Sequence, residues 1–183
     1  MIPRMIKVIL CDDHALIRRG IRDTLADAAD IEVVGEAGDY GELRGLMRAL
    51  AMPGRSITCD VLVLDINLPG RSGLDVLHVL KDEGSPVKVL VVSMYPEDQY
   101  AIRALRAGAY GYVNKGGDPQ LIVQAVRTVA QGRKYVTPEI AQMLVESLTA
   151  PVPEHAHDKL SDRELQTLVM IASGRRLSDI AEQ

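Results

Sequence analysis

The sequence predicts an α/β fold, a doubly wound five-stranded parallel sheet followed by a small all-α fragment. Two observations carry this. Five short apolar runs alternate with five helical stretches, and that alternation builds parallel sheets with helices on both faces. The runs Val61–Leu64 and Val87–Val92 are also nearly continuous in apolar character, as strands buried on both faces must be.

In chain order, the strands are expected at Ile6–Leu10, Ile31–Glu36, Val61–Leu64, Val87–Val92 and Tyr110–Asn114. Helical periods fill Ala15–Asp27, Tyr40–Leu50, Gly73–Glu83, Pro96–Ala107 and Pro119–Gln131. Ser72 with Asp75 resembles a capping box, and Asp118 before Pro119 sets a cap residue ahead of a first-turn proline. The stretch Ala51–Asp60, with Pro53-Gly54, is a connection.

After Gly132 a further helix opens at Thr137-Pro138-Glu139 and runs to about Ser147. Thr149–Asp158 carries two prolines without periodicity and is a linker. Its His155 and His157 are solvated residues rather than metal ligands. Ser161-Asp162-Arg163-Glu164 forms a strict capping box, followed by helically spaced Leu165, Leu168, Val169 and Ala172. The organisation expected is thus 4–133, 134–159 and 160–183.

Composition narrows the function. With 47% hydrophobic and 25% charged residues the chain is a soluble globular protein, and without Trp or Phe its core is aliphatic. A net charge of −4 leaves no chain-wide surface for a polyanion. No apolar run reaches membrane-span length, and the first residues lead into a strand without a cleavage signal, so a cytoplasmic location is expected. Cys11 and Cys59 are too few for a disulfide framework and read as buried apolar thiols.

The chemistry lies at the strands' carboxyl ends, where parallel α/β sheets gather functional groups. Asp12 and Asp13 end the first strand, Asp65 the third, Ser93 the fourth and Lys115 the fifth. Three carboxylates converging on one point repel one another unless a cation joins them, and a hard ion such as Mg²⁺ suits oxygen donors and a phosphate. Asp65 is then the nucleophile of an acyl phosphate, with Lys115 neutralising its oxygens and Ser93 donating a hydrogen bond. Alone, each of these residues reads as a loop, cap or surface group; five at the right strand ends do not.

The runs Leu10-Cys11-Asp12-Asp13-His14, Asp65–Gly73, Val91-Val92-Ser93 and Ala107–Lys115 closely resemble receiver domains of two-component response regulators, with their flavodoxin-like fold. The Asp-Asp-His opening and the tail resemble the NarL/FixJ class, which carries a LuxR-type helix-turn-helix. The resemblance implies a phosphoacceptor regulator rather than an enzyme, phosphorylated on Asp65 by a sensor histidine kinase. It implies Mg²⁺ held by Asp13, Asp65 and the Asn67 carbonyl, with Asp12 assisting through water, and Tyr112 as the aromatic partner of the Ser93 switch. Ser93 moves toward the phosphoryl group and Tyr112 then turns inward. Asn67 and Tyr95, at the pocket mouth, are expected to tune hydrolysis of the acyl phosphate. The output implied is a homodimer that controls transcription through DNA. The cis Lys–Pro bond usual in receivers has no counterpart, because Gly116 follows Lys115.

Residues 160–183 resemble the first half of the LuxR-type domain, without the recognition helix. From Asp158 on there are four basic against five acidic residues, so specific DNA binding is expected of the full-length protein and not of this chain, read as a truncated piece. Competing readings are weaker. A haloacid-dehalogenase-type phosphatase would have a second Asp where Asn67 stands. Asp12 and Asp13 would repel the phosphate of a flavin. The alternative kept is a receiver module acting through protein–protein interaction without DNA binding, against which the half helix-turn-helix counts only weakly.

Overall fold

A computed structural model describes residues 4–50 and 59–149, together with Glu164 and Leu168. Most of the 51–60 connection, the linker histidines His155 and His157, and the capping box at Ser161 lie outside the described residues.

The elements over residues 4–149 follow in order: β1 (Ile6–Cys11), α1 (Ala15–Ala26), β2 (Ile31–Ala37), α2 (Tyr40–Leu50), β3 (Val61–Asp65), α3 (Gly73–Asp82), β4 (Lys88–Ser93), α4 (Glu97–Ala107), β5 (Gly111–Asn114), α5 (Pro119–Ala130) and α6 (Pro138–Thr149). The strands pair in parallel in the order β2-β1-β3-β4-β5. This is the doubly wound sheet expected, and its order reverses between β1 and β3, the switch point beside which such sheets carry their sites.

Side chains alternate across the sheet into two cores. Ile9, Leu62, Leu64, Val89 and Val91 pack under α2, α3 and α4, whereas Val8, Leu10, Val61, Val63 and Leu90 pack under α1 and α5. All five residues of β3, the central strand, are buried, which accounts for its unbroken apolar run.

The caps mostly follow the sequence. Ser72 Oγ accepts from the Leu74 N–H, and Asp118 Oδ1 from that of Gln120. Pro96 caps α4 rather than beginning it, since its ψ of 149° is extended. Gly108 ends the same helix at φ 114°, in the left-handed region that favours glycine. Both thiols are free, Cys11 buried and Cys59 partly so, and burial pushes each up to about 12. They behave as the apolar residues expected.

Helix α6 begins where the sequence places it and extends two residues further. It also packs on α4, with Ile140 wholly buried in the core that holds Tyr100, Ala101, Ala104 and Tyr112. Among the described residues no helix is long and apolar enough to cross a membrane.

Candidate functional site

The rim of the sheet collects the acidic residues because β1 and β3 are neighbours and end together. Cys11 pairs with Leu64, so Asp12 and Asp65 leave adjacent strands side by side. Both are almost wholly buried, at 1% and 2% exposure. Lys115, just beyond β5, reaches across β4 to put Nζ 2.6 Å from Asp65 Oδ2 and 2.6 Å from Asp12 Oδ2. It donates a hydrogen bond to Asp65, whereas Asp12 Oδ2 accepts no well-directed hydrogen bond and is held by charge.

Burial pushes the Asp65 carboxyl up to about 6, the Lys115 ammonium opposes that rise, and the Asp12 charge adds to it. A raised folded-state value means that the stability tied to this group is full below about pH 4. It falls away as pH rises through about 6. Two units correspond to about 3 kcal/mol at pH 7.5, within a factor of two. In metal-free buffer Asp65→Asn is therefore expected to be stabilising, by about 2–3 kcal/mol at pH 7.5 and by well under 1 kcal/mol at pH 4. Urea unfolding at both pH values checks this. A gap between variant and parent that ignores pH would mean Asp65 is not the strained carboxylate.

Asp13 is partly exposed, its Oδ1 2.6 Å from His14 Nδ1. Ligand atoms of Asp12, Asp13, His14 and Asp65 all lie within 4.8 Å of one another. The Oδ1 atom of Asp13 is itself buried and, like Asp12 Oδ2, accepts no well-directed hydrogen bond. Carboxylate oxygens with free lone pairs, gathered this closely, fit a hard divalent cation.

The remaining predicted residues surround this cluster. Asn67 donates its main-chain N–H to Asp65 Oδ1 at 3.2 Å and its amide to the Tyr95 hydroxyl at 3.1 Å, so the two mouth residues are joined. Ser93 Oγ accepts from the Tyr95 N–H at 3.1 Å. The Tyr112 ring is wholly buried, and its hydroxyl donates to the Tyr95 carbonyl at 2.9 Å. That carbonyl satisfies the buried phenol, which burial pushes well above its ordinary range.

Beyond Lys115 the chain turns through Asn114, whose Oδ1 accepts from the Gly116 N–H at 2.7 Å. There is no cis peptide among the described residues. Three contributors went unread in the sequence. His14 joins the ligand cluster, Arg18 grips the Asp12 carbonyl and Glu36, and Gly73 lies against the Asp65 main chain. His14 and Gly73 stood inside quoted motifs, but only the tertiary contacts give them roles.

The chain also resembles known proteins. The model of the response regulator receiver domain matches residues 8–127. The chain belongs to the response regulators. The response regulator UvrY of Escherichia coli O6:H1 is 37% identical over 180 residues, covering 98% of this chain and 79% of its own. The response regulator GacA of Pseudomonas aeruginosa is 38% identical, covering 98% and 81%. Among solved structures, a LuxR-family two-component response regulator from Aurantimonas sp. superposes with a TM-score of 0.69 at 32% identity. It covers 80% of this chain and 99% of that one. Membership makes this chain a phosphoacceptor regulator of the NarL/FixJ type that controls transcription, not a turnover enzyme, built on the flavodoxin-like receiver fold.

Proposed function

We propose that Asp65 is the phosphoacceptor, and the observation that carries this is its position: a buried carboxylate paired with Lys115 at the switch point of the sheet. A sensor histidine kinase's phosphohistidine is the donor. An Asp65 carboxylate oxygen attacks phosphorus and the P–N bond breaks. The electron pair leaves with the imidazole, which takes up a proton. Lys115 lies where it neutralises the phosphoryl oxygens, and the Ser93 hydroxyl has its proton free to donate to one of them.

Asp12, Asp13 and Asp65, with the Asn67 carbonyl, are the residues that would hold Mg²⁺, which when bound supplies further neutralisation of phosphoryl charge. The crowding of hydrogen-bond-free carboxylate oxygens supports that assignment. The Asn67–Tyr95 pair screens the mouth from water and so sets the lifetime of the acyl phosphate. Self-phosphorylation from small donors and slow self-hydrolysis are the only chemistry we assign to the chain itself.

The receiver unit is read as 4–133, with helix and linker over 134–159 and a helix-turn-helix portion over 160–183. In the full-length protein that output domain binds DNA, with phosphorylation promoting a homodimer. The cytoplasm is the location we propose for this work. Incubation with acetyl phosphate, with and without Mg²⁺, followed by intact-mass measurement tests the reading. One phosphoryl group is expected with Mg²⁺ and none in Asp65→Asn; an equal gain in that variant would move the acceptor elsewhere.

A further inference from the structure

We propose that the α4–β5 surface is a docking seat for α6 whose strength depends on phosphorylation, with α6 acting as a lock on the inward Tyr112 ring. The proposal rests on Asp65 being the phosphoacceptor and goes beyond it, to the element that reads the event.

The segment after α5 is tied to the receiver at successive points. Tyr135 donates its N–H to the Tyr110 carbonyl at 2.8 Å and bridges to Gly111, so the chain runs beside the exposed edge of β5. The Lys134 ammonium sits 4.3 Å from the centre of the Tyr110 ring. Thr137 then uses its hydroxyl twice. It accepts from the Ile140 N–H, capping α6, and donates to Glu97 Oε2 at 2.7 Å, in the first turn of α4. Ile140 enters the core completely, with Met143 and Leu144 packed at its margin.

These anchors meet the residues that must respond to phosphate. Glu97 follows the loop 94–96, which is held at Ser93 by the Tyr95 N–H and at its middle by Tyr112 and Asn114. The Tyr95 ring stacks on Tyr100 of α4 at 4.9 Å, and Tyr100, Ala101, Ala104, Tyr112 and Ile140 share one buried cluster. α6 therefore closes the cluster on the side where α4 meets β5. Because the inward Tyr112 ring and Ile140 of the docked helix are buried in the same cluster, each favours the other.

A phosphoryl group on Asp65 draws the Ser93 hydroxyl toward itself, away from the path of the Tyr112 ring, and so favours the inward ring. By linkage it strengthens the hold on α6.

Hydrogen exchange of the 183-residue chain, with and without acetyl phosphate and Mg²⁺, tests this, with intact mass measured on the same samples. Phosphorylation is expected to slow the amides of residues 141–149 by about tenfold, within the usual range of coupling between sites. Glu97→Ala and Ile140→Ala should each speed those amides in the unphosphorylated chain. Glu97→Ala removes only a surface tether, so it keeps the test open if Ile140→Ala unfolds. Full phosphorylation with α6 amides unchanged or faster would overturn the lock and leave the phosphoacceptor assignment standing. Unaltered exchange in Glu97→Ala would overturn the tether through α4. No mass gain would remove the acceptor assignment and the lock with it.

Discussion

Lys115→Met is expected to cost about 3–5 kcal/mol in metal-free buffer at pH 7.5 and to cut phosphoryl uptake at least about a hundredfold. The stability loss follows from what the ammonium holds. Asp12 and Asp65 are buried beside each other, and Lys115, itself 3% exposed at the side chain, lies 2.6 Å from both. Removing it leaves two buried carboxylates facing each other with nothing between them. One of them then takes up a proton, so the Asp65 carboxyl, already at about 6, moves higher. The kinetic loss follows from the same position, because a protonated or repelled Asp65 is a poor nucleophile and the phosphoryl oxygens lose a cation. Mg²⁺ is expected to return part of the stability by mass action and little of the rate. Urea unfolding in EDTA and in Mg²⁺, beside acetyl phosphate labelling, separates the two. A Lys115→Met protein as stable as its parent in EDTA would mean the carboxylates share a proton already.

That pair shows what the sequence makes legible. Strand ends can be read from where apolar runs stop, so Asp12, Asp65, Ser93 and Lys115 could be set on one rim before any coordinates. The doubly wound sheet follows from the same alternation with right-handed crossovers, whereas the order β2-β1-β3-β4-β5 is read from the structure. Contacts made by long side chains are different. Nothing in the spacing of Arg18 says that its guanidinium turns back to the Asp12 carbonyl and to Glu36 across β2. The Tyr112 hydroxyl is held by a carbonyl two residues past Ser93, and the position of a loop carbonyl is not written in periodicity. The start of α6 was readable from Thr137-Pro138-Glu139. Its destination was not, because an apolar stripe states that a face is covered without saying by what.

Gly73 is the sharpest case of a residue whose role needs the coordinates, and Gly73→Ala is expected to destabilise the chain by about 3 kcal/mol or more. It opens α3 and donates its N–H to the Ile66 carbonyl at 2.7 Å, which draws the helix start against the end of β3. A Cβ there would stand 2.2 Å from the Asp65 carbonyl oxygen, 2.8 Å from Ile66 Cα and 3.0 Å from the Asp65 carbonyl carbon. All three are main-chain atoms, of Asp65 at the end of the central strand and of Ile66 just after it, so no side chain can give way. Either α3 lifts, breaking the Gly73–Ile66 bond and opening the core beneath Leu74 and Leu77, or Asp65 shifts out of reach of Lys115. Both damage the site, and labelling by acetyl phosphate should fall with stability. Gly20→Ala is the control, since nothing lies within 4 Å of a Cβ there and glycine is a poor residue inside α1. It should gain about 0.5–1 kcal/mol and label normally. Chemical unfolding of the two variants against the parent decides the matter. A Gly73→Ala protein with parental stability would mean that the close approach of α3 to Asp65 does not hold the acceptor in place.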